Sequence, residues 1–365
     1  MNLVAAFALI LTQVQVDQKS IDDAIAKGMT FLKTAESHGH YQIAHCDELI
    51  LYTFIVAGVP ATDARFQKLL QRVLTDEPTH TYRVSLQAML LEELDRAKYQ
   101  DRIALCAQFL VDNQCPNGQW SYGEPTKLGK DDGVASLGRR VEIGAAKPQL
   151  LRRITIRAQR TGPPDGDNSN SQYAALGLRA CADSGIVLPE STLTRGERWW
   201  RTTLLNDKKV ERNAVASGGE GPQGWGYKKG DDPYNTMTAG GAGCLVIYDH
   251  LLKRDWNKNP KTKSAIAWLA NSYWLSSPPQ GLTPYWYYYY LYAIERVGML
   301  TDTALLGQKD WYLDGARWLL QQQAANGSWD GNKLYPNPSN PTYDTCFAIL
   351  FLKKATKGLA VSKDR

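Results

Sequence analysis

The residues of this chain best equipped for chemistry are carboxylates and tyrosines placed where loops give way to apolar segments. Asp167 lies in DGDNSN (165–170), Asp232 in GDDPYNTMTAGG (230–241) and Asp344 in YDTCFAILFL (343–352). A carboxyl held in a dry pocket can donate a proton, and two carboxyls roughly 5 to 9.5 Å apart can share the cleavage of a glycosidic bond. Asp167, Asp232 and Asp344 are therefore the candidate catalytic groups, although Asp, Asn and Ser in such places also serve as helix caps. His45, Glu48 and Tyr52 recur at i, i+3 and i+7 and so share one helix face. Ionisable groups on an apolar helix are costly unless paired, which marks either a site or a buried structural pair. PYWYYYYLY (284–292) is the densest aromatic run; on a helix Tyr285, Tyr288 or Tyr289, and Tyr292 would face together. Aromatic faces stabilise cations, stack on sugars and fill cores with equal ease. The candidate substrate contacts are His45, Glu48, Tyr82, Arg83, Asn168, Asn235, Tyr285, Trp286, Tyr289 and Tyr343.

Something must position these residues, and the chain supplies it by repetition. A small residue followed by an aromatic-aliphatic pair recurs in KGMTFL (27–32), LCAQFL (105–110), RGERWW (195–200), SAIAWL (264–269) and DGARWL (314–319), with a weaker copy in RFQKLL (65–70). After each copy come a loop and a second, more apolar segment of helical period, at about 41–57, 81–95, 168–183, 235–251, 284–298 and 342–354. A helix apolar on most sides is buried, whereas one with a charged face lies on the surface. Six outer helices alternating with six inner ones, with few strand signals, predict an all-α (α/α)6 toroid over residues 18–356. In it the inner-helix starts, and with them Tyr41, Tyr82, Asp167, Asn235, Trp286 and Asp344, would ring one end of a central cavity. Residues 116–166 interrupt the pattern after the third outer helix and predict a lid-like insertion with some strand or short helix. Residues 357–365 form a C-terminal tail.

Composition narrows the partners. The chain has 365 residues, a net charge of +5 and no block of like charge, so a nucleic-acid footprint is not expected. Nothing points to a membrane surface either, and no segment after the N-terminus reads as transmembrane. LVAAFALIL (3–11) is too short to span a bilayer and resembles the core of an export signal within residues 1–17, which predicts a periplasmic or cell-envelope location; a packed N-terminal segment in a cytoplasmic protein is the alternative. The six cysteines are scattered without a CxxC pair. No nucleotide loop, nucleophile elbow or metal cluster is visible, so neither cofactor nor metal is expected.

QCPNGQW (114–120) and QAANGSW (323–329) both fit QxxxGxW, and each follows its aromatic-aliphatic pair at the same distance. The chain thereby resembles the squalene and triterpene cyclases, whose superfamily includes the β subunits of protein prenyltransferases. The similarity extends over about residues 20–356, and it implies the toroid and a hydrophobic or isoprenoid small molecule as ligand. The cyclases' DxDD acid is absent: Tyr234-Asn235-Thr236-Met237 stands in its place, with Asp231 and Asp232 upstream. Asp344-Thr345-Cys346 has the spacing of the prenyltransferase DxC element but falls on the sixth inner helix. Three functions follow: an isoprenoid-acting enzyme, a carboxylate-dependent polysaccharide-active enzyme, and a non-catalytic ligand-binding or scaffold toroid.

Overall fold

A computed structural model describes residues 16–36, 47–128, 150, 152–206, 221–273, 286–331 and 340–359, and within them the chain alternates between two kinds of helix. One kind is amphipathic: α1 (Gln18–Leu32), α3 (Ala64–Thr75), α5 (Gln100–Asp112), α7 (Glu190–Thr202), α9 (Pro260–Ser272) and α11 (Trp311–Gln322). α1 shows why, since it buries Ile21, Ala24, Ile25, Gly28, Met29 and Leu32 at helical spacing and leaves the remaining face to solvent. Side-chain caps start several of these helices by satisfying amide donors that have no intrahelical partner. Asp17 accepts from the Ser20 amide at 2.7 Å, Asp63 from Arg65 and Phe66, and Asp310 from Leu313.

The other kind is buried on nearly all sides: α2 (Asp47–Ala57), α4 (Thr81–Asp95), α6 (Asn168–Asp183), α8 (Asn235–Leu251), α10 (Tyr287–Leu300) and α12 (Pro341–Leu352). Every residue of α8 from Asn235 to Asp249 is buried. Each inner helix packs on the next, and α12 packs back on α2, so the six close into a ring with the amphipathic helices outside it. The fold is the all-α (α/α)6 toroid that the repeat predicts. The described starts of α4, α6 and α8 fall on the expected residues. Among the described residues three two-stranded ribbons accompany it: β1 (Ile154–Thr155) beside β2 (Ile186–Val187) in parallel, and the antiparallel pairs β3 (Leu205–Asn206) with β4 (Gln223–Gly224) and β5 (Leu305–Leu306) with β6 (Lys309–Asp310).

The two QxxxGxW segments make the same bonds twice. Gln114 donates to the Thr192 carbonyl on α7 at 2.9 Å, and Gln323 donates to the Ala24 carbonyl on α1 at 2.8 Å, so each glutamine ties one outer helix to the next and the second closes the ring. The Trp120 and Trp329 indoles donate to the carbonyls of Leu110 and Leu319, while their amides donate to Ser171 and Thr345 in the first turns of α6 and α12. Gly118 and Gly327 have φ +98° and +88°, and a Cβ on either would fall 2.3 Å from a carbonyl oxygen, that of Arg195 or Lys27. Only glycine fits. Trp225 is a third copy that the sequence pattern does not reveal. Its indole donates to the Trp200 carbonyl and its amide donates to the Thr238 hydroxyl, both at 3.1 Å. Residues 201–224 separate it from its aromatic pair, so the fixed spacing is lost.

The described flanks of the insertion lie along α5. The Asp112 carboxylate accepts from the Thr126 hydroxyl at 2.6 Å and the Gln159 amide at 2.8 Å, and Gln108 donates to the Arg157 carbonyl. Among the described residues of the insertion the strand β1 is present. Residues 129–149, the middle of the expected lid, lie outside the described residues.

Candidate functional site

α10 distributes its tyrosines around the helix, and the distribution defines the centre of the toroid. Tyr287 and Tyr288 turn to α11, with ring centroids 4.3 and 5.6 Å from that of Trp318. Tyr290 turns to α8, where its hydroxyl lies 3.4 Å from Asn235 Nδ2. Tyr289 and Tyr292 face inward with Arg296, at i, i+3 and i+7. Tyr289 lies 6.1 Å from the Tyr173 ring of α6 and 5.5 Å from the Phe347 ring of α12. Tyr173 in turn packs on Tyr82 of α4 at 4.6 Å. These rings form an aromatic wall that runs from Tyr82, half-buried in the first turn of α4, down to Tyr292 and Phe347.

At the foot of that wall sits a cation. Arg296 is 3% exposed, and its guanidinium carbon lies 4.4, 5.6 and 5.9 Å from the ring centroids of Tyr292, Tyr173 and Tyr289. These are cation–π distances. Arg296 Nη2 donates to Gln172 Oε1 at 3.1 Å, and Gln172 Nε2 donates to the Tyr289 hydroxyl. Nη1 is buried with no hydrogen-bond partner. The amide is held by a close approach: a Cβ on Gly240 of α8 would fall 2.4 Å from Gln172 Oε1. Burial drives the Tyr82, Tyr289 and Tyr292 hydroxyls above their ordinary pKa, so these phenols stay neutral and supply ring faces, not anions. The adjacent carboxyl, Glu295, accepts from the amide and hydroxyl of Thr356 at 2.8 and 2.7 Å. Burial pushes it up to about 7, against the opposing pull of those two bonds and of Arg296.

The sequence-derived candidates separate into two groups. Tyr82 and Tyr289 come together, bridged by Tyr173. Trp286 is half-buried in the left-handed region (φ 63°) just before α10, and Tyr343 is half-buried in the first turn of α12. Most of the rest hold backbone or one another. Asp167 caps α6, accepting from the Asn170 amide at 2.8 Å and the Ser169 hydroxyl at 2.6 Å. Asn168 donates to the Gly226 carbonyl and accepts from the Trp199 indole, both within 2.9 Å. Asn235 ties α8 to α9 through the Ser272 carbonyl at 2.7 Å. Asp344 accepts from the Gly331 amide at 2.8 Å, and Asp232 is exposed before α8. Asp167 and Asp344 open helices on opposite sides of the six-membered ring. With neighbouring helices about 8 to 10 Å apart, their backbones are roughly 16 to 20 Å apart. Glu48 and Arg83 pair with each other, Nε to Oε1 at 3.0 Å and to Oε2 at 3.1 Å, and Gln87 adds a third bond at 3.0 Å. Tyr41, His45 and Tyr285 lie outside the described residues.

Arg296, Gln172, Tyr173 and Phe347 escape the sequence reading, which looked for chemistry at helix starts. Their signal was a charged pair, Glu295-Arg296, in the middle of an apolar helix, the same anomaly that singled out Glu48. Among the described residues no group of three His, Cys, Asp or Glu could hold a metal ion, and the described cysteines are all buried. Burial pushes the Cys115 thiol up to about 11 and those of Cys106 and Cys346 to about 12, too high for a nucleophile at neutral pH. A groove of about 760 Å³ opens on the outer flank between α7 and the α8–α9 turn, lined by Arg198, Arg201, Lys253 and Arg254 above Glu197 and Asp249. None of the candidates lines it. No described helix is long and apolar enough to cross a membrane.

No model of a known protein family matches the chain, and no curated protein matches it in sequence. Solved structures do. The chain is similar to the type II terpene cyclase MstE from Scytonema, in a variant solved with its substrate geranylgeranyl dihydroxybenzoate: the TM-score is 0.52 at 14% identity, over 92% of this chain and 97% of that one. The apo form of MstE aligns over 93% and 99% of the two chains at 12% identity, with a TM-score of 0.33. The first likeness shows a terpenoid-cyclase-like fold.

Proposed function

We propose that this protein is a terpenoid-cyclase-like toroid that binds an isoprenoid-type chain in its tyrosine-walled centre and holds it without cyclising it. The observation that carries the proposal is Arg296 on the faces of Tyr173, Tyr289 and Tyr292. Carbocation chemistry needs ring faces turned toward a substrate that is becoming positive. Here a permanent cation already covers them. A carbocation about 6 Å from a guanidinium would be opposed by about 3 kcal/mol even at an effective dielectric constant of 20. The disposition of the acids supports the same conclusion: Asp167 and Asp344 are engaged with backbone amides and Asp232 is exposed. What remains is a wall of apolar faces with polar edges, suited to holding a long unsaturated chain.

The test is incubation of the purified protein with squalene and with geranylgeraniol, monitoring binding by native mass spectrometry and products by gas chromatography. Binding without a cyclised product is expected. A cyclised product lost on substituting Asp232, Asp344 or Asp167 would replace this proposal with catalysis, and binding of neither chain would remove the isoprenoid.

A further inference from the structure

α12 ends at Leu352, and Lys354 turns the chain away from the helix axis in the left-handed region (φ 48°). Within a few residues the chain then touches three other inner helices. Thr356 donates its amide and hydroxyl to Glu295 of α10, Lys357 pairs with Glu93 near the end of α4, and the Gly358 carbonyl accepts from Arg179 near the end of α6 at 3.0 Å. α6 stands opposite α12 in the ring, a span of roughly 16 to 20 Å between backbones. Six extended residues reach about 20 Å. Residues 353–359 therefore run straight across the end of the toroid that lies opposite the inner-helix starts. Their hold is mostly polar: Lys353, Lys354, Lys357 and Gly358 are exposed, Ala355 and Leu359 are half-buried, and Thr356 alone among these residues is buried.

We propose that residues 353–359 are a strap that shuts this end of the toroid while the Glu295 carboxyl is uncharged and lifts when it ionises, giving the tyrosine-walled centre a second, pH-gated opening. Glu295 is 0% exposed, beside Arg296 at the foot of the wall, and the Thr356 amide and hydroxyl lie over it. Two neutral donors do not replace the water that a carboxylate loses on burial, so burial outweighs them and pushes this carboxyl up to about 7. The groups around it do not titrate near that pH. Arg296 and the strap's Lys354 are cations that favour its charge. Tyr292 of α10 and Tyr52 of α2 are kept neutral by burial, as are Cys244 of α8, which faces Arg296, and Tyr312 of α11, whose ring carries the Lys354 ammonium at 3.9 Å. With the strap lifted, water reaches the carboxyl and that penalty disappears, so ionisation and opening favour each other.

The experiment is hydrogen exchange by mass spectrometry on the full chain between about pH 5.5 and 8, with rates corrected for the intrinsic pH dependence of exchange. No ligand enters it, so its outcome is independent of the isoprenoid proposal. Protection of the peptide containing Thr356 is expected to fall about thirtyfold over that range, the linkage between a carboxyl at about 7 under the strap and at an ordinary 4.5 in water, while the amides of α8 stay protected. Glu295→Gln, which cannot ionise, is expected to keep the strap protected at every pH. Protection of the strap that does not change with pH, or that falls in step with α8, would overturn the proposal, because the strap would then be fixed or would open only with the whole fold. The same pH dependence in Glu295→Gln would assign the switch to another group and overturn it too. Should Glu295→Gln not fold, the wild-type comparison of strap with α8 still decides.

Discussion

Arg83 and Arg296 are both buried on inner helices, one 8% and the other 3% exposed, and the protein treats them in opposite ways. Arg83 meets a carboxylate head-on, with Glu48 and Gln87 completing the set and Asp76 at 3.4 Å. Arg296 meets ring faces and one amide. The first arrangement closes every bond within the protein, so it locks α2 against α4 and has nothing left for a ligand. The second sets the charge on ring faces and leaves Nη1 without a hydrogen bond, with no carboxylate bonded to it. A buried ionisable residue by itself is no pointer to function; what its donors find is the pointer.

The contrast is sharpest in stability. Arg83→Met removes one partner of a buried ion pair and strands Glu48, so it should cost about 3 to 5 kcal/mol in urea denaturation. A loss below about 1 kcal/mol would erase the difference between the two sites. Glu295 gives the next largest effect, and its sign discriminates. Were it the ion-pair partner of Arg296, as Glu48 is of Arg83, its folded pKa would be depressed and stability would rise with pH. Instead burial holds it at about 7 against an ordinary 4.5. A raised carboxyl pKa contributes stability that is fully present below about pH 4.5 and is lost as pH rises through about 7. The difference in stability between wild type and Glu295→Gln should therefore fall by about 3 kcal/mol from pH 4.5 to 7.5; a difference that grows over that range would make Glu295 a partner of Arg296 after all.

The toroid was legible because its signal is periodic and local. Gly118 and Gly327, with their flanking Gln and Trp, occupy equivalent positions in equivalent repeats, so the same short pattern recurs even though the carbonyls it meets, those of Arg195 and Lys27, are distant in sequence. Trp225 escaped because the intervening residues break the spacing while leaving the bonds intact. The site was legible in kind but not in place. The tyrosine run did point to the centre, yet among its described tyrosines only Tyr289 and Tyr292 reach it, because consecutive helical residues are about 100° apart and Tyr287, Tyr288 and Tyr290 face α11 and α8. Gln172 and Arg296 lie 124 residues apart in sequence and meet only when the ring closes. No spacing rule within one helix could join them.

The smaller effects probe Arg296 directly. Because no carboxylate is stranded by its loss, Arg296→Met should leave stability within about 1 kcal/mol of wild type or raise it, since a well-packed apolar residue often replaces a buried charge without cost; a loss above about 3 kcal/mol would place Arg296 alongside Arg83 as a structural strut. Tyr292 then separates the ring face from the rest of the residue. Tyr292→Phe keeps the face at 4.4 Å from the guanidinium and should change stability by less than about 0.5 kcal/mol. Tyr292→Leu in the Arg296 background removes the face, whereas in Arg296→Met there is no cation for it to stabilise. The Phe-to-Leu cost should thus be larger by about 1 kcal/mol when the arginine is present, a coupling that a double-mutant cycle reads as the cation–π contact alone. Zero coupling would mean that the rings merely surround Arg296 and that its charge is balanced by something other than their faces.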